Sequence, residues 1–99
     1  MIKAFKLITG EEIVSNVTHH NEEKGEYVLD KPRTIMMTPG KDNQLHLSLV
    51  PWMVCAQDPS GKSEIDSILY QSAIIGATKE VPAVLEKGYL QNVSTIQLL

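Results

Sequence analysis

Lys6-Leu7-Ile8-Thr9-Gly10-Glu11-Glu12-Ile13-Val14-Ser15-Asn16-Val17 holds two short apolar runs that meet at a glycine followed by acidic residues. Without a Cβ, Gly10 reaches the backbone angles that a tight strand-to-strand turn demands. The stretch is therefore read as a hairpin that opens a small, strongly bent antiparallel sheet. Before the turn, Lys3 to Ile8 forms a strand with Phe5 and Leu7 on one face and Ala4 and Ile8 on the other. Both faces are thus expected to be at least partly covered. After it, Ile13, Ser15 and Val17 alternate with Val14, Asn16 and Thr18 in a second strand.

Further along, polar His19 to Gly25 reads as a hairpin loop, and Glu26 to Lys31 resumes alternation through Tyr27 and Leu29. Pro32 cannot donate to a ladder, so an edge or a bend is expected there, with Arg33 to Thr38 continuing the strand. Pro39-Gly40-Lys41-Asp42-Asn43 is a turn by composition. Gln44 to Val50 has the cleanest period of two: Leu45, Leu47 and Leu49 against Gln44, His46 and Ser48. Pro51 ends it. Trp52 to Ala56 reads as a short apolar strand, Gln57 to Ser63 as a loop, and Ile65 to Tyr70 and Ala73 to Lys79 as two more strands. The last of these is apolar on both faces and is expected to lie centrally.

The period then changes. Val81, Val84, Leu85, Tyr89 and Val93 recur at spacings of three and four, which predicts a C-terminal helix over about 81–94. Pro82 suits its first turn. Gly88 weakens its middle by roughly 1 kcal/mol relative to alanine. The fold class expected is mainly β: a small, strongly bent antiparallel barrel over about 1–79 with one C-terminal helix, in a single domain spanning residues 1–99. Such a sheet has open edges, and pairing between identical subunits in a closed ring would satisfy them.

With 99 residues, ordinary apolar content and a net charge of −3, the chain offers no bulk electrostatic grip on duplex DNA. No apolar run is long enough to cross a bilayer, and the opening residues lack a secretion-signal pattern. A cytoplasmic location is expected, and the single Cys55 fits a reducing compartment. With one Trp, three Tyr and one Phe, the core must rest mostly on Ile, Leu, Val and Met.

The pattern Leu7-x-x-Gly10-x-x-Ile13-x-x-x-Val17, followed by a polar loop and a strand with Val28 and Leu29, resembles the first signature block of the Sm-like (LSm/Hfq) family. The Thr9-Gly10-Glu11-Glu12 opening, Lys31-Pro32-Arg33, Pro51-Trp52 and the tail Tyr89-Leu90 are most similar to divergent Sm-like proteins of marine cyanobacterial phages. With that subgroup the likeness covers nearly the whole chain. The resemblance implies an SH3-like bent barrel and a closed homo-oligomeric ring, pentamer to heptamer, that pairs the fourth strand of one copy with the fifth of the next. It also implies non-catalytic binding of single-stranded RNA at the lumen during phage infection, in the cytoplasm of the infected cell. Three departures stand out. The turn that carries an Arg-Gly or Lys-Gly step in the family is Tyr70-Gln71-Ser72 here, the stretch from Met37 to Ser63 is long, and the helix follows the barrel.

The candidate RNA contacts are His19, His20 and Asn21 in the loop between strands two and three, Tyr70 and Gln71 in the other turn, and Lys31 and Arg33 as a basic rim with Lys3 and Lys6. Imidazole and tyrosine rings can stack on bases, amides can read polar base edges, and cations attract phosphates. Each also has an ordinary alternative as a solvated hairpin tip, half-buried packing or surface charge. A ring that scaffolds proteins without nucleic acid is the other function the sequence allows.

No catalytic residues are expected. Glu11-Glu12 and Glu22-Glu23 alternate faces rather than converging, and no nucleophile elbow, phosphate loop or dinucleotide fingerprint occurs. His19, His20, His46 and Cys55 lack metal-ligand spacing, so no metal or cofactor is expected. Cys55 reads as a buried thiol, and Met36, Met37 and Met53 with Trp52 as core, the alternative being a docking surface on the ring's face.

Overall fold

At Gly10 the backbone takes φ 97°, a conformation that costs an L-residue about 1–2 kcal/mol. Its N–H donates to the Leu7 carbonyl at 2.8 Å, and the Leu7 N–H to the Glu11 carbonyl at 2.9 Å. The computed structural model describes residues 1–98, with side chains to residue 94. The turn joins β1 (Ile2–Leu7) to β2 (Glu12–Asn21), with Phe5 opposite Ile13 and Ala4 opposite Val14. Ala4 is covered as expected, whereas Ile8 lies beyond the strand at 63% exposure. Gly10→Ala meets no steric neighbour, so its expected loss of about 1–2 kcal/mol in urea unfolding reports the backbone alone.

β3 (Glu26–Pro39) runs unbroken through Pro32. Its register against β2 steps from Val14 opposite Arg33 to Asn16 opposite Asp30, so Lys31 and Pro32 occupy a bulge. Lys31 takes φ 53° there. A bulge accommodates a residue with no N–H and bends the strand, which is why proline redirects β3 rather than ending it. A second register shift, between Val17 and His19, bends β2.

β4 (Leu45–Pro51) pairs with the outer half of β3, and β5 (Ser67–Tyr70) with its first four residues. β6 (Ile74–Ala77) pairs with β1. The result is a six-stranded antiparallel sheet of order β4-β3-β2-β1-β6, with β5 on β3. β5 and β6 stand on opposite borders but are joined by a 3-10 turn, Gln71–Ala73, so the sheet must curl until those borders approach. It remains open: among the described residues no ladder joins β5 to β6. Contrary to its apolar composition, β6 is an edge strand with Ile75 64% exposed.

The core is Phe5, Leu7, Ile13, Leu29 and Leu69, with Val17, Tyr27, Trp52, Ala73 and Ile74 packed against it. Each fully buried side chain of this size contributes roughly 1.5–3 kcal/mol. Methionine has no part in it, for Met36, Met37 and Met53 are exposed. The stretch expected as a strand at Trp52 to Ala56 holds a 3-10 turn, Val54–Ala56. Pro51 ends β4, and the Trp52 N–H turns to the Pro32 carbonyl at 3.1 Å. Cys55 sits in that turn and is exposed rather than buried.

Helix α1 (Ala83–Leu98) begins just after Pro82 and runs past the expected end. It lies on the outer face of the sheet, where Ala4, Val14 and Arg33 form one cross-strand row. Tyr89 is 1% exposed and Asn92 half-buried, while Val84 and Leu90 face solvent. No described helix is long and apolar enough to cross a membrane.

Candidate nucleic-acid interface

The β2–β3 hairpin is tighter than its composition implies. β2 extends through Asn21, so His19 and His20 are strand residues opposite Val28 and Tyr27, and only residues 22–25 form the turn. Two devices close it. Gly25 takes φ 64°, and the Asn21 Oδ1 accepts the Lys24 N–H at 3.1 Å, a local bond that favours a turn. Successive strand residues face opposite sides, which separates the two histidines. His20 turns to the Tyr27 side and stacks on that ring at 3.9 Å and 5°, and Tyr27 meets Phe5 edge-on at 5.1 Å. His19 and Asn21 share the other side with Tyr70, because Tyr70 lies opposite Glu26, which lies opposite Asn21.

Tyr70 and Gln71 come together with the hairpin turn. The Gln71 N–H donates to the Gly25 carbonyl at 2.8 Å, locking the two turns. Lys24, Gly25, Tyr70, Gln71 and Ser72 then line an open surface pocket of about 460 Å³. Tyr70 is 57% exposed, so its ring is available to a flat ligand. Lys24 is exposed, and its ammonium has no acidic partner among the described residues. It supplies a cation beside a turn that has none of its own. Sequence reasoning passed over Lys24 because it follows Glu22-Glu23 in an acidic loop; only the pairing of β5 with β3 brings it to Tyr70.

The expected basic rim loses Arg33 to the interior. Arg33 is fully buried: its Nη1 lies 3.0 Å from the Glu64 Oε1 and donates to the Pro32 carbonyl, while its Nε donates to the Asn92 Oδ1 at 2.9 Å. It is an internal strut between sheet, loop and helix. Lys31 pairs with Asp30 at 3.2 Å, and Lys6 with Glu12 at 3.4 Å. Lys31 lines a separate groove of about 280 Å³ beside α1, with Ile2, Asn16, Asp30, Tyr89, Leu90 and Val93. Of the seven residues singled out, then, the structure gathers Tyr70 and Gln71 with Lys24, sets His19 and Asn21 on Tyr70's side of the sheet, and takes His20, Lys31 and Arg33 elsewhere. Among the described residues no three His, Cys, Asp or Glu side chains are placed to share a metal ion. In comparison with known proteins, the chain matches no family model and no curated protein.

Proposed function

We propose that this chain is a ring-forming Sm-like protein that binds single-stranded RNA, without catalysis, at the pocket between its two locked turns. The observation that carries this reading is the meeting of Lys24, Tyr70 and Gln71 across the Gly25–Gln71 hydrogen bond. Tyr70 offers a stacking surface, Gln71 an amide for a base edge, and Lys24 a phosphate-attracting cation. The order of the strands in a curled but open sheet, with β5 and β6 flanking a short turn on opposite borders, supports this reading. In a ring the pocket repeats once per copy, so weak single contacts add by multivalency. This is how a chain of net charge −3 holds an anionic strand.

Titration of labelled oligo-uridine and oligo-adenosine at several salt concentrations tests it. Binding is expected, with log K falling by about 0.7 per log unit of salt for each phosphate neutralised. Tyr70→Ala should weaken binding by about 1–3 kcal/mol per stacked base. Lys24→Ala should weaken it uniformly across sequences and flatten the salt slope. Absence of binding at low salt by the assembled protein would reject the RNA role and leave a ring that scaffolds proteins.

A further inference from the structure

The outer half of β3 and all of β4 form a hairpin arm, closed by the turn at residues 40–44, with unusual patterning. Residues directly opposite in an antiparallel pair share a face. Ile35 faces Leu49, Met37 faces Leu47 and Pro39 faces Leu45, so one side of the arm is apolar throughout. The other side carries Thr34, Thr38, His46 and Ser48, with Met36 and Val50. The apolar side continues the row begun by Arg33, on the face where α1 lies; among the described residues α1 bonds to it at its base, through the Asn92 Nδ2 bond to the Leu49 carbonyl. Beyond that point Met37, Leu47 and Leu45 are 54%, 41% and 65% exposed.

We propose that this apolar side is covered by the adjacent copy of the same chain, so that the arm is part of the subunit interface. The proposal rests on the self-association half of the function given above. Its basis is the layout of the sheet border. β2 pairs with β3 from Glu26 to Thr34, overlapping β5 at residues 26–29 and β4 at residues 33 and 34, so β4 and β5 both lie on the side of β3 away from β2, end to end. The unpaired border of β4 therefore continues that of β5. A neighbour that adds the free border of its own β6 to that of β5 is carried alongside the arm.

Size and charge favour that occupant. The face spans seven residues of β4, about 24 Å by 10 Å, or roughly 240 Å². A self-sufficient interface needs about 800 Å² per partner. The arm alone is too small to capture an unrelated protein, but it suffices as an extension of an edge-to-edge contact. Between Ile35 and Pro51 the only residues of fixed charge are Lys41 and Asp42, both at the tip, so the arm offers no cation cluster to nucleic acid or an anionic surface. An identical copy meets neither repulsion nor an unpaired charge.

Peroxide oxidation of the unmodified protein, read by mass spectrometry, tests the assignment without any substitution. Met36 and Met37 point to opposite sides of the arm and are similarly exposed in the single chain. In the assembly Met37 should oxidise at least about fivefold more slowly than Met36, and dilution to single chains should remove the difference. Equal rates in the assembly overturn the proposal. Protection of Met37 that is independent of concentration also overturns it, in favour of a cover from within the same chain. Light scattering gives the second arm of the test. Leu47→Lys should raise the concentration needed for assembly by at least about tenfold, while Thr38→Lys, on the opposite side, should not. An undiminished assembly of Leu47→Lys removes the arm and leaves the ring. A wild-type protein that is a single copy at micromolar concentration removes both.

Discussion

Arg33→Met is expected to destabilise the protein by about 3–5 kcal/mol, because it strands the Glu64 carboxylate in the interior. The two side chains are 0% and 4% exposed, and neither can regain water without opening the loop that carries Glu64. Among the described residues Glu64 keeps the Gln57 amide at 3.4 Å once the guanidinium is gone, and Asn92 loses one of the bonds that tie α1 to the sheet. Glu64→Leu should cost a similar amount by stranding the cation. The double variant Arg33→Met, Glu64→Leu should recover most of the loss, since an apolar pair of similar volume avoids the desolvation of two charges. Arg33 Nη2 is buried without a hydrogen-bond partner among the described residues, so the native network is not fully compensated. Urea unfolding of the four proteins gives the cycle directly. Equal and additive losses would show that the two groups act independently.

Tyr89→Ala is the second large effect, at about 3–5 kcal/mol for loss of a fully buried aromatic side chain. The hydroxyl donates within reach of the Asp30 and Lys31 carbonyls, at 2.8 and 3.0 Å, and accepts the Asn16 N–H at 3.1 Å. The ring thus pins α1 at the bulge of β3. A 16-residue helix with Gly88 in its middle and Val84 and Leu90 facing solvent has little stability of its own. Far-UV circular dichroism of Tyr89→Ala should therefore lose helix signal before the sheet unfolds. Tyr89→Phe removes only the hydroxyl bonds and should cost about 1–3 kcal/mol. Burial raises the Tyr89 pKa above its ordinary value of 10.0. Its contribution is thus complete below pH of about 10, where the unfolded phenol titrates, and declines as pH climbs through the higher folded value. Alkaline destabilisation should be steeper in the wild type than in Tyr89→Phe.

The features legible in the chain are those whose causes are local. Gly10, the alternation of Leu45, Leu47 and Leu49, the turn beginning at Pro39-Gly40 and the helical spacing from Val81 to Val93 each act within a few residues. The hairpin turns, most strands and the terminal helix followed from them. Local rules failed where a long-range partner intervened. Pro32 reads as a break, yet the bulge against β2 absorbs it; Trp52 to Ala56 reads as a strand, yet the Trp52 N–H turns to the Pro32 carbonyl and the chain coils into a 3-10 turn. Arg33 reads as surface charge until Glu64 and Asn92, far along the chain, enclose it. The methionines read as core because hydrophobicity carries no address.

The candidate site divides in the same way. Tyr70 and Gln71 stand out as a turn with stacking and amide groups, but Lys24 belongs with them only because β5 pairs with the first residues of β3. Periodicity along the strand, a two-residue property, marked most of the strands and the side each residue faces, though not the extension of β2 through His19 and His20. Which strands meet, which charges are swallowed and which apolar side is left uncovered depend on contacts between residues tens of positions apart. Those choices were made by packing, since burial is settled by the whole surface at once and not by any neighbour in the sequence.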